Sequence, residues 1–152
     1  MPISLANRGK YMDAELKRAL AMLHTRGGWV HLGTVGKDGW PHVTPVMMGI
    51  RDDLCLFSIT GKQKKRNIER DPRVCVELSH PGDFFHIVMW GEMQIRNDAA
   101  AQELWAWLIT DQFGDAGLEQ RQRALCEAGT SLGVFRALRQ RLYAVPQASA
   151  ST

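Results

Sequence analysis

From Trp29 to Ile95 the apolar and β-branched runs are mostly joined by connections too short to carry a chain back across a sheet. A parallel neighbour needs a crossover of about a dozen residues, whereas an antiparallel one needs only a turn. The runs Trp29 to Val35 and Trp40 to Ile50 are separated by Gly36-Lys37-Asp38-Gly39, which predicts a hairpin. Arg51-Asp52-Asp53 then turns the chain into a third run, Leu54 to Thr60. Arg73 to Leu78, a long strand from Phe84 to Ile95 with a bulge expected at Gly91, and a closing strand from Gly133 to Val145 complete the set. The fold class that follows is mainly β with flanking helices (α+β). Its centre is a small antiparallel barrel, closed or nearly closed.

Three longer helices are expected outside that barrel. The first spans Asp13 to His24, with Leu16, Leu20 and Leu23 at helical spacing, and ends at Gly27-Gly28. Asp98 is placed to cap a second from Ala99 to Thr110, where Leu104, Trp107 and Leu108 share an apolar face and Trp105 points elsewhere. A third runs from Leu118 to Ala128 and stops at Gly129. Ser79-His80-Pro81-Gly82 reads as a loop, and Gln147 to Thr152 as a disordered tail, leaving one domain over residues 1–146.

The stretch from Leu54 to Leu78 concentrates the charge. It reads as a strand, a turn at Gly61, a short helix from Lys62 to Arg70, a stop at Asp71-Pro72 and another strand. Between Lys62 and Arg73 stand six Lys or Arg residues against Glu69 and Asp71, in a chain whose net charge is +3. Everything outside this segment therefore sums to about −1. A helix that begins just after a strand presents unpaired N–H groups and the positive end of its dipole to an anion. Lysines placed there make a phosphate seat, although a basic run on a short helix is more often a solvated face. Pro41 and Pro45 each remove a ladder donor from the second strand, which fits an edge, an end or a bulge. Backbone groups freed beside Val43, Thr44 and Val46 are available to a planar ligand.

Several chemistries are excluded by pattern. Gly33 to Gly39 is GxxGxxG leading into a strand, not the GxGxxG that opens a helix in a dinucleotide-binding unit. Gly61-Lys62 is followed by Gln63 and lacks the first glycine of a P-loop. Ser58 and Ser131 have no GxSxG setting. The five histidines show no metal-ligand spacing, and Cys55, Cys75 and Cys126 form no CxxC pair. Reduced thiols and the absence of an apolar run long enough to span a bilayer lead to an expectation of a cytoplasmic protein without a membrane partner. No aromatic residues interleave the basic run, so nucleic acid is not an expected partner. With no nucleophile, base or metal in view, an enzyme here would take its chemistry from a bound cofactor.

Two segments carry a family resemblance. Val35-Gly36-Lys37-Asp38-Gly39-Trp40-Pro41-His42-Val43-Thr44-Pro45-Val46 and the later Phe57-Ser58-Ile59-Thr60-Gly61-Lys62-Gln63-Lys64-Lys65-Arg66-Asn67-Ile68-Glu69-Arg70-Asp71-Pro72-Arg73-Val74 are similar in combination to the pyridoxamine 5'-phosphate oxidase-like superfamily. The resemblance covers about residues 28 to 95 and implies an FMN-binding split β-barrel. It also implies a homodimer with the cofactor, FMN or an 8-hydroxy-5-deazaflavin coenzyme, at the subunit interface. Carried over by position, it places Val43, Thr44, Pro45 and Val46 along the ring and ribityl chain. Ser58, Ile59 and Thr60 would line the end of the next strand, with Lys62, Gln63, Lys64 and Lys65 around the phosphate and His86 reaching the flavin from a partner subunit. The vitamin B6 oxidases have arginine where this chain has Gln63, and their C-terminal substrate pattern is not clear among Arg136, Arg139 and Arg141. The resemblance therefore leans toward the flavin and deazaflavin reductases. The expected function is a flavin-dependent oxidoreductase moving a hydride to or from a small organic substrate. A deazaflavin-dependent reductase and a non-catalytic flavin- or haem-binding module are the alternatives.

Overall fold

Side chains that alternate along β1, Trp29–Val35, set the inside and outside of the molecule: Val30, Leu32 and Thr34 are buried while Trp29 and His31 face out. In this computed structural model the described residues are 14–24, 29–80, 85–114, 118–127 and 129–143, apart from the side chains at 15, 22, 80, 118, 121 and 124–126. The Gly27-Gly28 stop, the Pro81-Gly82 turn, the strand ends Phe84 and Val145, the Cys126 side chain and the tail from Gln147 lie outside them. Among them the chain runs α1 (Ala14–Leu23), β1, β2 (Pro41–Arg51), β3 (Leu54–Ile59), α2 (Lys62–Arg70), β4 (Arg73–His80), β5 (Phe85–Arg96), α3 (Ala99–Phe113), α4 (Leu118–Glu127) and β6 (Ser131–Tyr143).

The six strands form a closed barrel in the order β1-β2-β3-β6-β5-β4, and every pairing is antiparallel. The expected α+β barrel is the fold observed. β3 is buried at all six positions because it is covered on both sides. Cys55, Phe57 and Ile59 join the barrel interior, whereas Leu54 and Leu56 pack under Ala101, Leu104 and Leu108 of α3. Burial pushes the Cys55 thiol up to about 12, so it stays protonated. Gly49 is where α3 meets β2: a Cβ there would lie 2.5 Å from Leu108 Cδ1.

The two ends of the barrel are stopped by α1 and α2. Strand direction separates them, because α2 connects the end of β3 to the start of β4, whereas Lys17 of α1 pairs with Asp53 in the turn before β3. Leu16, Ala19, Leu20 and Leu23 follow helical spacing and enter the main core. Ile68 does the same from α2.

Four details differ from the sequence reading. β4 continues through Ser79 and His80, since pairing with His86 and Phe85 extends the ladder into the expected loop. The register break lies at Trp90/Gly91, but the extra residue is Leu138 on β6, because Trp90 pairs with Arg139 and Gly91 with Ala137. Gly91 allows the close approach: a Cβ there would sit 2.0 Å from the Arg136 carbonyl oxygen. Asp98 occupies the N-cap of α3 without a side-chain cap bond, its carboxylate being held by Arg96 at 2.6 and 3.1 Å. Trp105 and Trp107 are both partly buried against the smaller core.

Candidate functional site

A cleft opens where β3 ends. β2 pairs with β3 only from Met47 to Arg51, against Leu54 to Ser58, so Pro41 to Val46 have β1 on one side and no described strand on the other. β2 nevertheless runs unbroken through both prolines, paired at Pro41↔Val35 and Pro45↔His31. A strand residue sends its N–H and C=O to the same edge, and the edge alternates along the chain. The Trp40 carbonyl accepts from Gly36 N–H at 2.8 Å, so even-numbered residues serve β1 and odd-numbered ones face the cleft. Both prolines then fall where their missing donors break no ladder bond. Val43 N–H is left as the backbone donor on that stretch of edge, so the groups of Thr44 and Val46, expected to be free, belong to β1.

Past Ile59 the chain turns at Gly61, whose φ of +93° is a conformation that side chains other than glycine rarely adopt. α2 starts immediately after it, with no side-chain cap and no acidic residue in its first turn. Its first N–H groups are therefore open to an anion. Lys62 and Gln63 are exposed, and Lys64 and Lys65 are half-buried. The Lys64 ammonium folds back over the turn, 3.7 Å from the position a Cβ would take on Gly61. Burial holds its pKa below the usual lysine value, and among the described residues no carboxylate pairs with it.

The remaining expected residues fall into distinct places. Val43 is exposed and Pro45 is exposed beside it, while the Val46 side chain is core. Ile59 is also fully buried inside the barrel, so only its backbone is near the corner. Thr60 Oγ1 lies 3.1 Å from Thr130 Oγ1. Ser58 Oγ, Thr44 Oγ1 and His42 Nδ1 are buried polar atoms with no hydrogen-bond partner. Such orphans are uncommon, and each costs about 1–3 kcal/mol unless something satisfies it. Two of the three, Ser58 and Thr44, are residues that the sequence marked for a ligand. His86 is elsewhere: it stacks on Tyr143 at 4.7 Å and pairs with Ser79, six residues along β5 from Glu92, which pairs with Arg73. That separation is roughly 20 Å. One chain does not bring His86 to the Lys64 corner.

The residue that sequence reasoning missed is Asn67. It is fully buried in the middle of the basic helix. Its Nδ2 donates to Thr34 Oγ1 at 3.0 Å, and its Oδ1 accepts from Gln63 Nε2 at 2.8 Å and Arg70 Nη2 at 3.0 Å. Arg70 also donates to the Val35 carbonyl at 2.8 Å, so this network fixes α2 against the end of β1. The Gln63-x-x-x-Asn67 spacing, one helical turn, was the available signal. Gln63 spends its amide N–H within the helix, which leaves Lys64 as the side chain turned over the corner.

On the outer wall a groove of about 520 Å³ is lined by Gly33, Val43, Cys75, Trp90 and the hydrogen-bonded pair of His31 and Glu77, 2.7 Å apart. Val43, in its lining, is 64% exposed, and Trp29 and Trp40, towards the two ends of the β1–β2 pair, are 65 and 77% exposed, large apolar groups left in water. Among the described residues no group of three or more His, Cys, Asp or Glu is arranged to hold a metal, and no helix is long and apolar enough to cross a membrane.

Comparison with known proteins finds the same fold elsewhere. The structure resembles a conserved hypothetical protein, Rv2991, from Mycobacterium tuberculosis, with a TM-score of 0.67 and 20% identity over 95% of this chain and 96% of that one. An F420 reductase superposes with a TM-score of 0.58 and 22% identity, over 79% and 94% of the two chains. A heme binding protein from Mycobacterium smegmatis gives 0.64 and 17%, over 94% of this chain and 55% of that one. No curated protein matches. The family model described as pyridoxamine 5'-phosphate oxidase matches residues 16–140. Most of the chain lies inside that match, and the barrel up to the last three residues of β6, the Gly61 turn and the basic helix fall within it: the protein belongs to the pyridoxamine 5'-phosphate oxidase family.

Proposed function

We propose that the protein binds FMN non-covalently and acts as a flavin-dependent oxidoreductase on a small organic substrate. The observation that carries this reading is the Lys64 corner: a partly desolvated ammonium without a described carboxylate, folded over an open helix N-terminus. The buried Ser58 hydroxyl, which lacks a partner, is near the end of the strand that leads into it. In this reading Lys64 and the first N–H groups of α2 hold the phosphate, with Lys62 and Lys65 adding charge and Ser58 a hydroxyl. The Val43 N–H would be available to an acceptor on the flavin, and Pro41, Val43 and Pro45 would offer it an apolar surface. The flavin supplies hydride transfer when bound; the chain binds, orients and excludes water. An 8-hydroxy-5-deazaflavin coenzyme would use the same phosphate contacts, and the F420 reductase likeness keeps it as the second cofactor.

A homodimer completes the site. His86 lies too far along β5 to reach the corner of its own chain, whereas a second copy docked on the exposed Trp29, Trp40 and Val43 can deliver it. Closure over the cofactor would also bury those apolar side chains.

The test is the visible spectrum of the purified protein, followed by titration with FMN and with the deazaflavin and by sedimentation. Flavin-type absorbance, or saturable uptake by a dimer, is expected. A colourless protein that takes up neither cofactor overturns the reading. Uptake without turnover by any nicotinamide or organic donor would make the protein a cofactor-binding module instead.

A further inference from the structure

A polar crevice of about 400 Å³ lies between α3, α4 and the start of β6. It begins beside the phosphate corner. Thr130 is part of its lining and touches Thr60 at 3.1 Å, and Leu132, also in the lining, is the cross-strand partner of Ser58 and of Arg96. The row Ser58–Leu132–Arg96 spans two strand spacings, roughly 10 Å. That is enough for a phosphoryl group and a ribose leading inward.

The lining is nearly neutral. Arg96 is its charged residue, and Asp98 neutralises it at 2.6 Å. The amides of Asn97 and Gln122 offer both donors and acceptors, as the edge of a nucleobase requires. Trp105 contributes a flat apolar surface. Its indole N–H is buried without an acceptor, a cost that a carbonyl or ring nitrogen in the crevice would relieve. An acidic tail would find no unpaired cation in this lining, whereas a heterocycle finds a ring to lie against and amides at its rim.

We propose that this crevice receives the adenosine end of a dinucleotide flavin, FAD, so that the protein prefers FAD to FMN. The proposal rests on the reading that the Lys64 corner seats a flavin phosphate. The second phosphate and ribose pass Thr60 and Thr130, and the base reaches Trp105, Asn97 and Gln122.

Equilibrium dialysis of FMN and FAD against the full chain tests it, with Trp105→Phe and Gln122→Ala beside the wild type. FAD is expected to bind the wild type about tenfold more tightly than FMN, and each variant to lose roughly three- to tenfold in FAD affinity. FMN affinity should stay within about twofold in both variants, which also reports that they fold. Excess adenosine should weaken FAD and leave FMN unchanged. Equal affinities of FMN and FAD in the wild type, or variants that weaken both alike, overturn the proposal while the phosphate seat stands. Failure of both flavins to bind overturns the seat and the crevice together.

Discussion

The same barrel is stopped at its two ends by different physics. α1 closes one mouth with Leu16, Ala19, Leu20 and Leu23, an apolar stripe whose partners are other core side chains. α2 closes the other with one apolar residue, Ile68, and one fully buried amide, Asn67, held by Thr34, Gln63 and Arg70. An apolar stripe tolerates small rotations, because dispersion and burial have no direction. A buried amide does not, since every group in its network must keep its bond length and angle. The polar stopper therefore fixes the rotation of α2, and with it the direction in which Lys64 points.

The largest effect is expected at the apolar end. Leu20→Ala should cost about 2–5 kcal/mol in a denaturant melt, as for other buried leucines. The FMN affinity of the protein that remains folded should not change, because α1 lies at the mouth away from the corner. A large loss of affinity in that variant would erase the distinction between the ends. Asn67→Ala should cost about 2–3 kcal/mol by removing the bonds it makes to Thr34, Gln63 and Arg70, of which Arg70 keeps the Val35 carbonyl. Unlike Leu20→Ala, it should also weaken FMN, because the helix that carries Lys64 loses its anchor. Destabilisation with FMN affinity intact would make α2 an ordinary plug.

How much of this was legible in the sequence depends on the kind of signal. The bounds of α2 were readable because Gly61 and Pro72 punctuate it, and those of β1 because its alternation is regular. The role of Asn67 was not, since an amide between Arg66 and Ile68 in a charged run looks solvated until Thr34 is brought across from β1. Gly91 was visible as a break, yet the unpaired residue is Leu138, and that follows only from the register of two strands. β4 outran its predicted end because ladder pairing with β5 outweighed the turn-forming residues that follow. Ser58 and Lys64 were marked by family resemblance, but the missing bond at Ser58 and the fold-back of Lys64 needed coordinates.

Within the corner itself, Lys64→Ala should weaken FMN by about 1.5–3 kcal/mol, the range for a hydrogen bond to a charged group. Lys37, exposed in the hairpin turn, carries the same charge without the fold-back. Lys37→Ala should change FMN affinity by less than about 0.5 kcal/mol. Equal losses in the two titrations would mean that net charge, not the placement of one ammonium, attracts the phosphate.

The smallest effect is also the most specific, because its sign reverses with the ligand. Burial lowers the pKa of Lys64 below 10.5, so the folded state disfavours the charged amine. Below the folded-state pKa the amine is charged in both states and the penalty is fully present. Between that value and the unfolded one, the unfolded chain binds more protons and stability rises with pH. Lys64→Met should therefore make the cofactor-free protein slightly more stable near neutral pH, by about 0.5 kcal/mol or less, since solvent still reaches the half-buried side chain and screens it. That advantage should shrink as pH rises through the alkaline window. With saturating FMN the order should invert, since the phosphate stabilises the charged amine and binding adds more to the stability of the wild type than to that of the variant. A variant that is less stable than the wild type without FMN would show that Lys64 already has a partner, and that the corner was not waiting for an anion.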